Sequence, residues 1–337
     1  MPLKVPENDK TCNAPLDTLA QLGTDTEFPS VLKPLTDLQN LSVLQKRARS
    51  KYLTTAVALR LVDTNSPLVK QYWNTYHCCS ALTVENQKVT GNYCKNRWCL
   101  VCNRIRTAEL IKKYKEELFS WEDRHFVTLT VPNVPSKFLK KTIQVLNKEF
   151  TDISNTMKKR HQRMTGTRLI CIKKIECTYN PDREDYHPHL HIITKDKVMA
   201  ETLLLEWLKR HPECSSLAQD IRPASQNDLI ELFKYFTKIL SRSKKDKKIT
   251  INASALDNIF QSIKGIRTFQ PIGFKAPKLI PSIEEGDNQN DFAVTVDRSV
   301  VFDWIHEFHD WISADGEILS DFTPTEKLEN IVMNVIK

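Results

Sequence analysis

The sequence predicts an α+β fold: an antiparallel sheet with helices packed on one face, a cysteine-rich knuckle ahead of it, and helical or irregular extensions at both ends. Three observations carry this. Alternating stretches at 125–131, 168–179 and 189–195 read as strands, and a long 3-4 stepping of apolar residues between 137 and 160 reads as a helix. The order strand, helix, strand, strand, helix belongs to an α+β sheet rather than to repeated βα units. Five of the nine cysteines fall within residues 78–102. With 337 residues, 40% hydrophobic and no internal repeat, the chain can bury at least one core and form one to three domains.

Residues 1–40, rich in Pro, Asp, Thr and Asn, read as a loosely ordered arm. Residues 42–62 form a basic helix that either faces DNA or is simply solvated. After the cysteines, Ile111, Tyr114, Leu118 and Trp121 recur at helical spacing. The strand His125–Val131 stops at Pro132. Leu139, Ile143, Leu146, Phe150, Ile153 and Met157 then mark one long amphipathic helix. Two strands, 168–179 and 189–195, are joined by the polar loop Asn180–Pro188. Helices at 199–210 and 226–240 precede a Lys-rich loop at 242–248, and Leu256, Ile259, Phe260 and Ile263 give a further helix ending at Gly265. The expected divisions are an N-terminal extension (1–76), the knuckle (77–107), the sheet domain (108–278) and an acidic tail (279–337).

Only 7 glycines occur, too widely spaced for a dinucleotide fingerprint or a phosphate-cradling P-loop. No apolar run reaches 18 residues and the N-terminus lacks the layout of a signal peptide, so a soluble cytoplasmic protein with no membrane partner is expected. Its cysteines are then reduced, and clustered ones read as metal ligands. The net charge of +8 is uneven: residues 281–337 hold 13 acidic and 3 basic side chains, net −10, which leaves +18 on residues 1–280. A body of that charge favours a polyanion such as nucleic acid.

Cys94-x4-Cys99-x2-Cys102, with Cys78 and Cys79 some fifteen residues earlier, supplies the four thiolates of a tetrahedral structural Zn²⁺ site. Cys79 is taken as the fourth ligand, with Cys78 as its alternative and His77 as a third option. Arg97, Arg104 and Arg106 surround the knuckle and are expected to touch phosphates. In His187-Pro-His189-Leu-His191, residues i and i+2 of a strand share a side, so His189 and His191 can address one ion while Leu190 and Ile192 enter the core. If the preceding strand pairs with this one, Glu176 becomes the third ligand. Two imidazoles and a carboxylate leave positions open for water or a phosphate oxygen, which suits Mn²⁺ or Mg²⁺. His187 is read as a loop histidine before proline, with metal ligation and DNA contact as alternatives.

In the 226–240 helix, Leu229, Leu232, Phe233, Phe236 and Leu240 form an apolar stripe, and Glu231, Lys234, Tyr235 and Lys238 a polar one. Glu231 and Tyr235, at i and i+4, have Cβ atoms about 5–6 Å apart and can address the same phosphate.

Taken together, YCKNRWCLVCNRIR, FVTLTVPN, IECTYN, HPHLHII, ELFKYFTK and ALDNIFQSIKGIRTFQPIGF resemble rolling-circle plasmid replication initiators (Rep proteins) of the HUH endonuclease superfamily, over residues 75–278. The resemblance implies an HUH-type antiparallel sheet, Tyr235 as nucleophile, His189 and His191 on the divalent metal, and Glu231 in the place of a second tyrosine. It implies nicking of one origin strand to leave a 5′-phosphotyrosine and a 3′-OH primer, with Lys238 supplying charge beside the phenol. Lys234, Lys244 and Lys245 join the three arginines as expected DNA contacts. The implied partners are plasmid origin DNA and a host helicase and polymerase, since the chain has no P-loop. The competing readings are a relaxase or transposase of the same chemistry, a non-enzymatic zinc-containing DNA-binding regulator, and a hydrolase of small phosphoesters.

Overall fold

The computed structural model describes residues 42–85, 88–233, 241–242, 249–275, 299–333 and 335–336. The chain divides after Thr36, and every described residue lies in the second unit, Asp37–Lys337. The elements run α1 (Val43–Val62), α2 (Val69–Tyr76), β1 (Ala81–Glu85), β2 (Lys88–Gly91), α3 (Leu100–Phe119), β3 (His125–Thr130), α4 (Ser136–Gln162), β4 (Cys171–Asn180), β5 (Asp185–Thr194), α5 (Lys197–Arg210), β6 (Asp220–Pro223) and α6 (Gln226–Phe233). They continue with β7 (Ser241–Arg242), β8 (Ile249–Asn252), α7 (Ala253–Ile263), β9 (Phe269–Ile272), β10 (Val300–Ile305), β11 (Asp310–Ser313), α8 (Glu326–Met333) and β12 (Val335–Ile336).

The central sheet has the order β6-β3-β5-β4-β9 and every neighbouring pair is antiparallel. Of its three inner strands, β4 and β5 form a hairpin through a tight turn in which Glu184 adopts a positive φ of 55° and the Asn180 side chain accepts from the Asp182 and Arg183 amides. The polar stretch expected to be a loop is thus mostly strand, since β5 begins at Asp185.

Because strand side chains alternate, the register divides the sheet into two different surfaces. Val127, Leu129, Ile175, Leu190 and Ile192 face α4, whose expected stripe from Leu139 to Met157 is buried throughout. On the same side, Trp207 of α5 donates from Nε1 to the Thr130 carbonyl at 3.3 Å. The opposite surface is mixed. One end carries Phe126, Ile172 and Ile193, covered by Tyr114, Leu118 and Trp121 and by Leu229, Leu232 and Phe233 of α6. The other end carries Thr128, Lys174, Glu176, His189 and His191. Helices therefore pack on both faces, a correction to the expected single face. The apolar end of the second face needs its own cover.

The flanking segments are built into this frame. A capping box starts α1: Ser42 Oγ accepts from the Gln45 amide at 3.1 Å and Gln45 Oε1 from the Ser42 amide at 2.9 Å. Arg47 and Lys51 of this helix are buried, and Lys51 Nζ donates to the Tyr76 carbonyl at 2.7 Å, so both turn into the protein. Tyr72 and Ser66 both donate to the buried Asp257 carboxylate of α7, tying the N-terminal helices across the expected boundary at 76. Strand β10 pairs antiparallel with β1, and Trp311 of β11, fully buried, donates to the Cys79 carbonyl at 2.8 Å. Strands β10 and β11 of the acidic segment are thus sheet components beside the cysteines. Asp310 anchors it: its carboxylate accepts from the Trp311, Ser320 and Phe322 amides and from Ser320 Oγ.

Lys173, fully buried on the α4 side, donates to Asn147 Oδ1 at 2.6 Å and lies over the Phe150 ring. Burial pushes its ammonium down to about 8, with a smaller opposing effect from Cys171. A folded value below the unfolded value of about 10.4 makes the charge a cost at neutral pH, on the order of 3 kcal/mol before the hydrogen bond offsets part of it. That cost fades as pH rises from 8 toward the unfolded value. Lys173→Met should therefore be at least as stable as wild type at pH 7, and the difference should move in favour of wild type between pH 8 and 10. Denaturant titrations across that range check this, and a pH-independent difference contradicts it.

Candidate functional site

The site grows from the hairpin. Antiparallel pairing sets Glu176 opposite His189 and Lys174 opposite His191, and all four side chains rise on one surface. His189 Nε2 lies 3.0 Å from His191 Nε2, which in turn lies 3.6 Å from Glu176 Oε2. All three residues are buried, and their ligand atoms fall within 4.8 Å of one another. Adjacent ligands around an octahedral ion with bonds of about 2.1 Å are about 3.0 Å apart. The three groups thus fit one face of such a site with no change of register.

The surroundings orient these donors. His189 Nδ1 sits 3.0 Å from the His187 carbonyl, which directs Nε2 toward the other two groups. His191 Nδ1 lies 3.4 Å from Thr128 Oγ1 on β3. Burial disfavours the charge on Glu176, but the Lys174 ammonium, then the His191 and His189 rings, outweigh it and hold the carboxyl well below the usual carboxylate range. Lys174 Nζ is 3.0 Å from Glu176 Oε2 and donates to the Glu231 carbonyl of α6 at 3.3 Å. Neither this lysine nor Thr128 stands out in the sequence; the strand register is the signal that finds them. His187 points away to Asn133, with Nδ1 2.8 Å from Oδ1, and Asn133 donates in turn to Asp185. Burial, then His189, pushes its imidazole down to about 4, so His187 is neutral at pH 7 and serves the turn rather than the triad.

The second cluster lies at the start of α3. Cys78, Cys94, Cys99 and Cys102 have sulfurs within 4.8 Å of one another, with Cys78 and Cys94 at 3.5 and 3.7 Å from Cys102. Four thiolates around Zn²⁺ at about 2.3 Å form a tetrahedron with edges of about 3.8 Å. The cluster fits that ion. Cys99 is the N-cap of α3, and the Lys95 amide, at a positive φ of 57°, donates to Cys102 Sγ.

Cys78 takes the place expected for Cys79, a correction with a backbone cause. Cys79 adopts a φ of 60°, its amide donates to the Asn92 carbonyl at 2.8 Å, and its carbonyl accepts from Trp311. This reversal turns its buried side chain away from the cluster. Arg97 donates to the Ile266 carbonyl, and Arg106 to Asn103 Oδ1 and the Lys95 carbonyl, so both brace the knuckle from within. Arg104 is partly exposed on α3. Glu231 lies on α6 and is partly exposed. Lys234, Tyr235, Lys238, Lys244 and Lys245 lie outside the described residues.

Residues 86–197 match the family model described as replication protein. This span holds three of the four clustered cysteines and the whole Glu176, His189, His191 set, and ends before Glu231 and Tyr235. A Protein rep of Staphylococcus aureus is 27% identical over 229 residues, which is 62% of this chain and 95% of that one. A Protein rep of Streptococcus pneumoniae serotype 2 (strain D39 / NCTC 7466) is 32% identical over 112 residues, 30% of this chain and 32% of that relative. No solved structure matches. By these findings the chain is similar to replication proteins. More particularly, they support a replication initiator of the plasmid Rep type. No described helix is long and apolar enough to cross a membrane.

The cysteine geometry has a direct check. Metal analysis of purified Cys78→Ser should show loss of about one zinc ion per chain with a lowered melting temperature, whereas Cys79→Ser should keep the ion. The reverse pattern contradicts the assignment.

Proposed function

We propose that the chain initiates plasmid rolling-circle replication by nicking one strand at the double-strand origin through Tyr235. The observation that supports this most is the open, buried set of two imidazoles and one carboxylate on paired strands, with α6 held against it by Lys174. Glu176, His189 and His191 would hold Mn²⁺ or Mg²⁺, and Cys78, Cys94, Cys99 and Cys102 would hold a structural Zn²⁺. The divalent ion, when bound, supplies Lewis-acid polarisation of the scissile phosphate.

The chain's own groups do the rest. Tyr235 follows the last described residue of α6, Phe233, by two positions. Its phenol oxygen forms a bond to phosphorus as the bond to the 3′ oxygen breaks. The phenol proton is lost to solvent and the departing 3′ oxygen takes one from solvent, which leaves a 5′-phosphotyrosine and a 3′-OH that serves as primer. A free tyrosine has a pKa near 10, so the charge of Lys238, three residues further along the chain, favours the phenolate. For termination, Glu231 takes a proton from water, which attacks in a second cleavage and gives a hydrolysed end instead of a second covalent link. Strand joining follows by attack of a free 3′-OH on the phosphotyrosine. Lys234, Arg104, Lys244 and Lys245 contribute phosphate contacts, and a host helicase and polymerase supply unwinding and synthesis.

The test is a labelled single-stranded origin oligonucleotide incubated with protein and Mn²⁺, then resolved under denaturing conditions. Wild type should carry label into the protein band, Tyr235→Phe and His189→Ala should not, and Glu231→Ala should form the first adduct but lose the hydrolytic second cleavage. Origin binding that is the same in every variant, with no adduct in any, overturns the reading and leaves a DNA-binding regulator.

A further inference from the structure

Besides the two clusters already described, a third group of metal-ligating side chains converges among the described residues, where α5 ends. His211 is the C-cap of α5 and opens the turn His211-Pro212-Glu213-Cys214, in which the Cys214 amide donates to the His211 carbonyl at 3.0 Å. The imidazole is buried and tilted against the Trp207 ring, with centroids 4.1 Å apart. Its Nδ1 lies 2.9 Å from Glu213 Oε1, and Cys214 Sγ lies 3.9 Å from the same oxygen. One ligand atom from each of the three residues falls within 4.8 Å of the others. Across the ring, Nε2 lies 2.5 Å from Glu149 Oε2 of α4. That pair is off the line of a hydrogen bond, and among the described residues neither buried atom has a hydrogen-bond partner.

A neutral imidazole carries one N–H and one lone pair. Here both ring nitrogens face carboxylates, so a proton on one leaves a lone pair against an anion at the other. A cation at one nitrogen removes that conflict. Tetrahedral Zn²⁺, with bonds of about 2.0 Å to nitrogen, 2.1 Å to oxygen and 2.3 Å to sulfur, sets neighbouring N and O about 3.3 Å apart and O and S about 3.6 Å apart. The observed 2.9 and 3.9 Å lie within about 0.4 Å of these. A mixed nitrogen, oxygen and sulfur set also suits Zn²⁺ better than Mg²⁺ or Ca²⁺, which take oxygen. We propose that His211 Nδ1, Glu213 and Cys214 form a further zinc site, with a fourth position for water and with Glu149 facing the Nε2 proton to orient the ring. Cys214 gives up its thiol proton to solvent on binding. The ion pins the turn that leaves α5 to α4, which covers the sheet face opposite Glu176, His189 and His191. It is independent of the nicking reading.

The experiment loads full-length wild type, Cys214→Ser, His211→Ala and Glu149→Gln with Zn²⁺ from a chelator-buffered solution and counts the ions bound per chain. Only differences between the proteins are read, so ions held elsewhere on the chain cancel. Wild type should hold one ion more than Cys214→Ser or His211→Ala. Glu149→Gln should need about 10- to 100-fold more free Zn²⁺ to fill the same site, the usual cost of losing a partner behind a ligating histidine. In a second readout, alkylation by N-ethylmaleimide followed by peptide mass spectrometry, Zn²⁺ should shield Cys214 in wild type but not in His211→Ala.

The same ion count in wild type, Cys214→Ser and His211→Ala overturns the proposal and leaves His211 as an imidazolium held between two carboxylates. So does an extra wild-type ion that leaves Cys214 as reactive as it is without Zn²⁺, because that ion then sits elsewhere. If the buried His211 cannot be replaced without loss of the fold, the count on Cys214→Ser, a change at a partly exposed side chain, decides.

Discussion

The register between β4 and β5 is the constraint on which the rest depends. It sets Glu176 against His189 and Lys174 against His191, and the same pairing sends Ile175, Leu190 and Ile192 to the opposite side, where α4 covers them. A slip of one residue would turn every one of these side chains to the other face. Packing and chemistry are therefore specified together: the apolar half of the alternation has to be buried under α4, and that requirement presents the histidines and the carboxylate on the second face. The turn at 181–184, closed by Asn180 and Glu184, keeps the pairing in step.

Holding a carboxylate this deeply buried needs compensation. Lys174 provides it directly and the two imidazoles add to it, so Glu176 is ionised at neutral pH although burial opposes its charge. The second face is also shared between two tasks. Its apolar end, under α3 and α6, is core; its polar end is the candidate site, and α6 spans the join with Leu229, Leu232 and Phe233 buried and Glu231 partly exposed. The cysteine cluster supports the arrangement from outside the sheet. Cys99 caps α3, and α3 supplies Tyr114 and Leu118 to the core beneath α6 as well as the Thr107 hydroxyl to the Phe233 carbonyl.

What could be read in the sequence was whatever repeats at a short period. The 3-4 stepping from Leu139 to Met157 gave α4, and the alternation around His189 and His191 gave both the strand and the shared side of the two imidazoles. Glu176 needed one further assumption, that two neighbouring strands pair. Less legible was everything set by distant contacts. Nothing local says that Cys78 rather than Cys79 faces the other cysteines, because a left-handed backbone at Cys79 and its bonds to Asn92 and Trp311 decide it. Likewise, the acidic composition of 279–337 hides a strand that pairs with β1 and a tryptophan in the core. Lys174 reads as an ordinary strand lysine until its two partners are known, and Tyr235, the residue on which the proposed chemistry turns, lies outside the described residues.

The central claim, that one face of the β4–β5 hairpin is a divalent cation site, is tested most directly by anomalous diffraction from crystals of the protein soaked in MnCl₂. The account predicts a single strong peak on this face, with His189 Nε2, His191 Nε2 and a Glu176 carboxylate oxygen all within about 2.3 Å of it. A map with no peak there, and Glu176 still paired to Lys174 alone at high Mn²⁺, would contradict it.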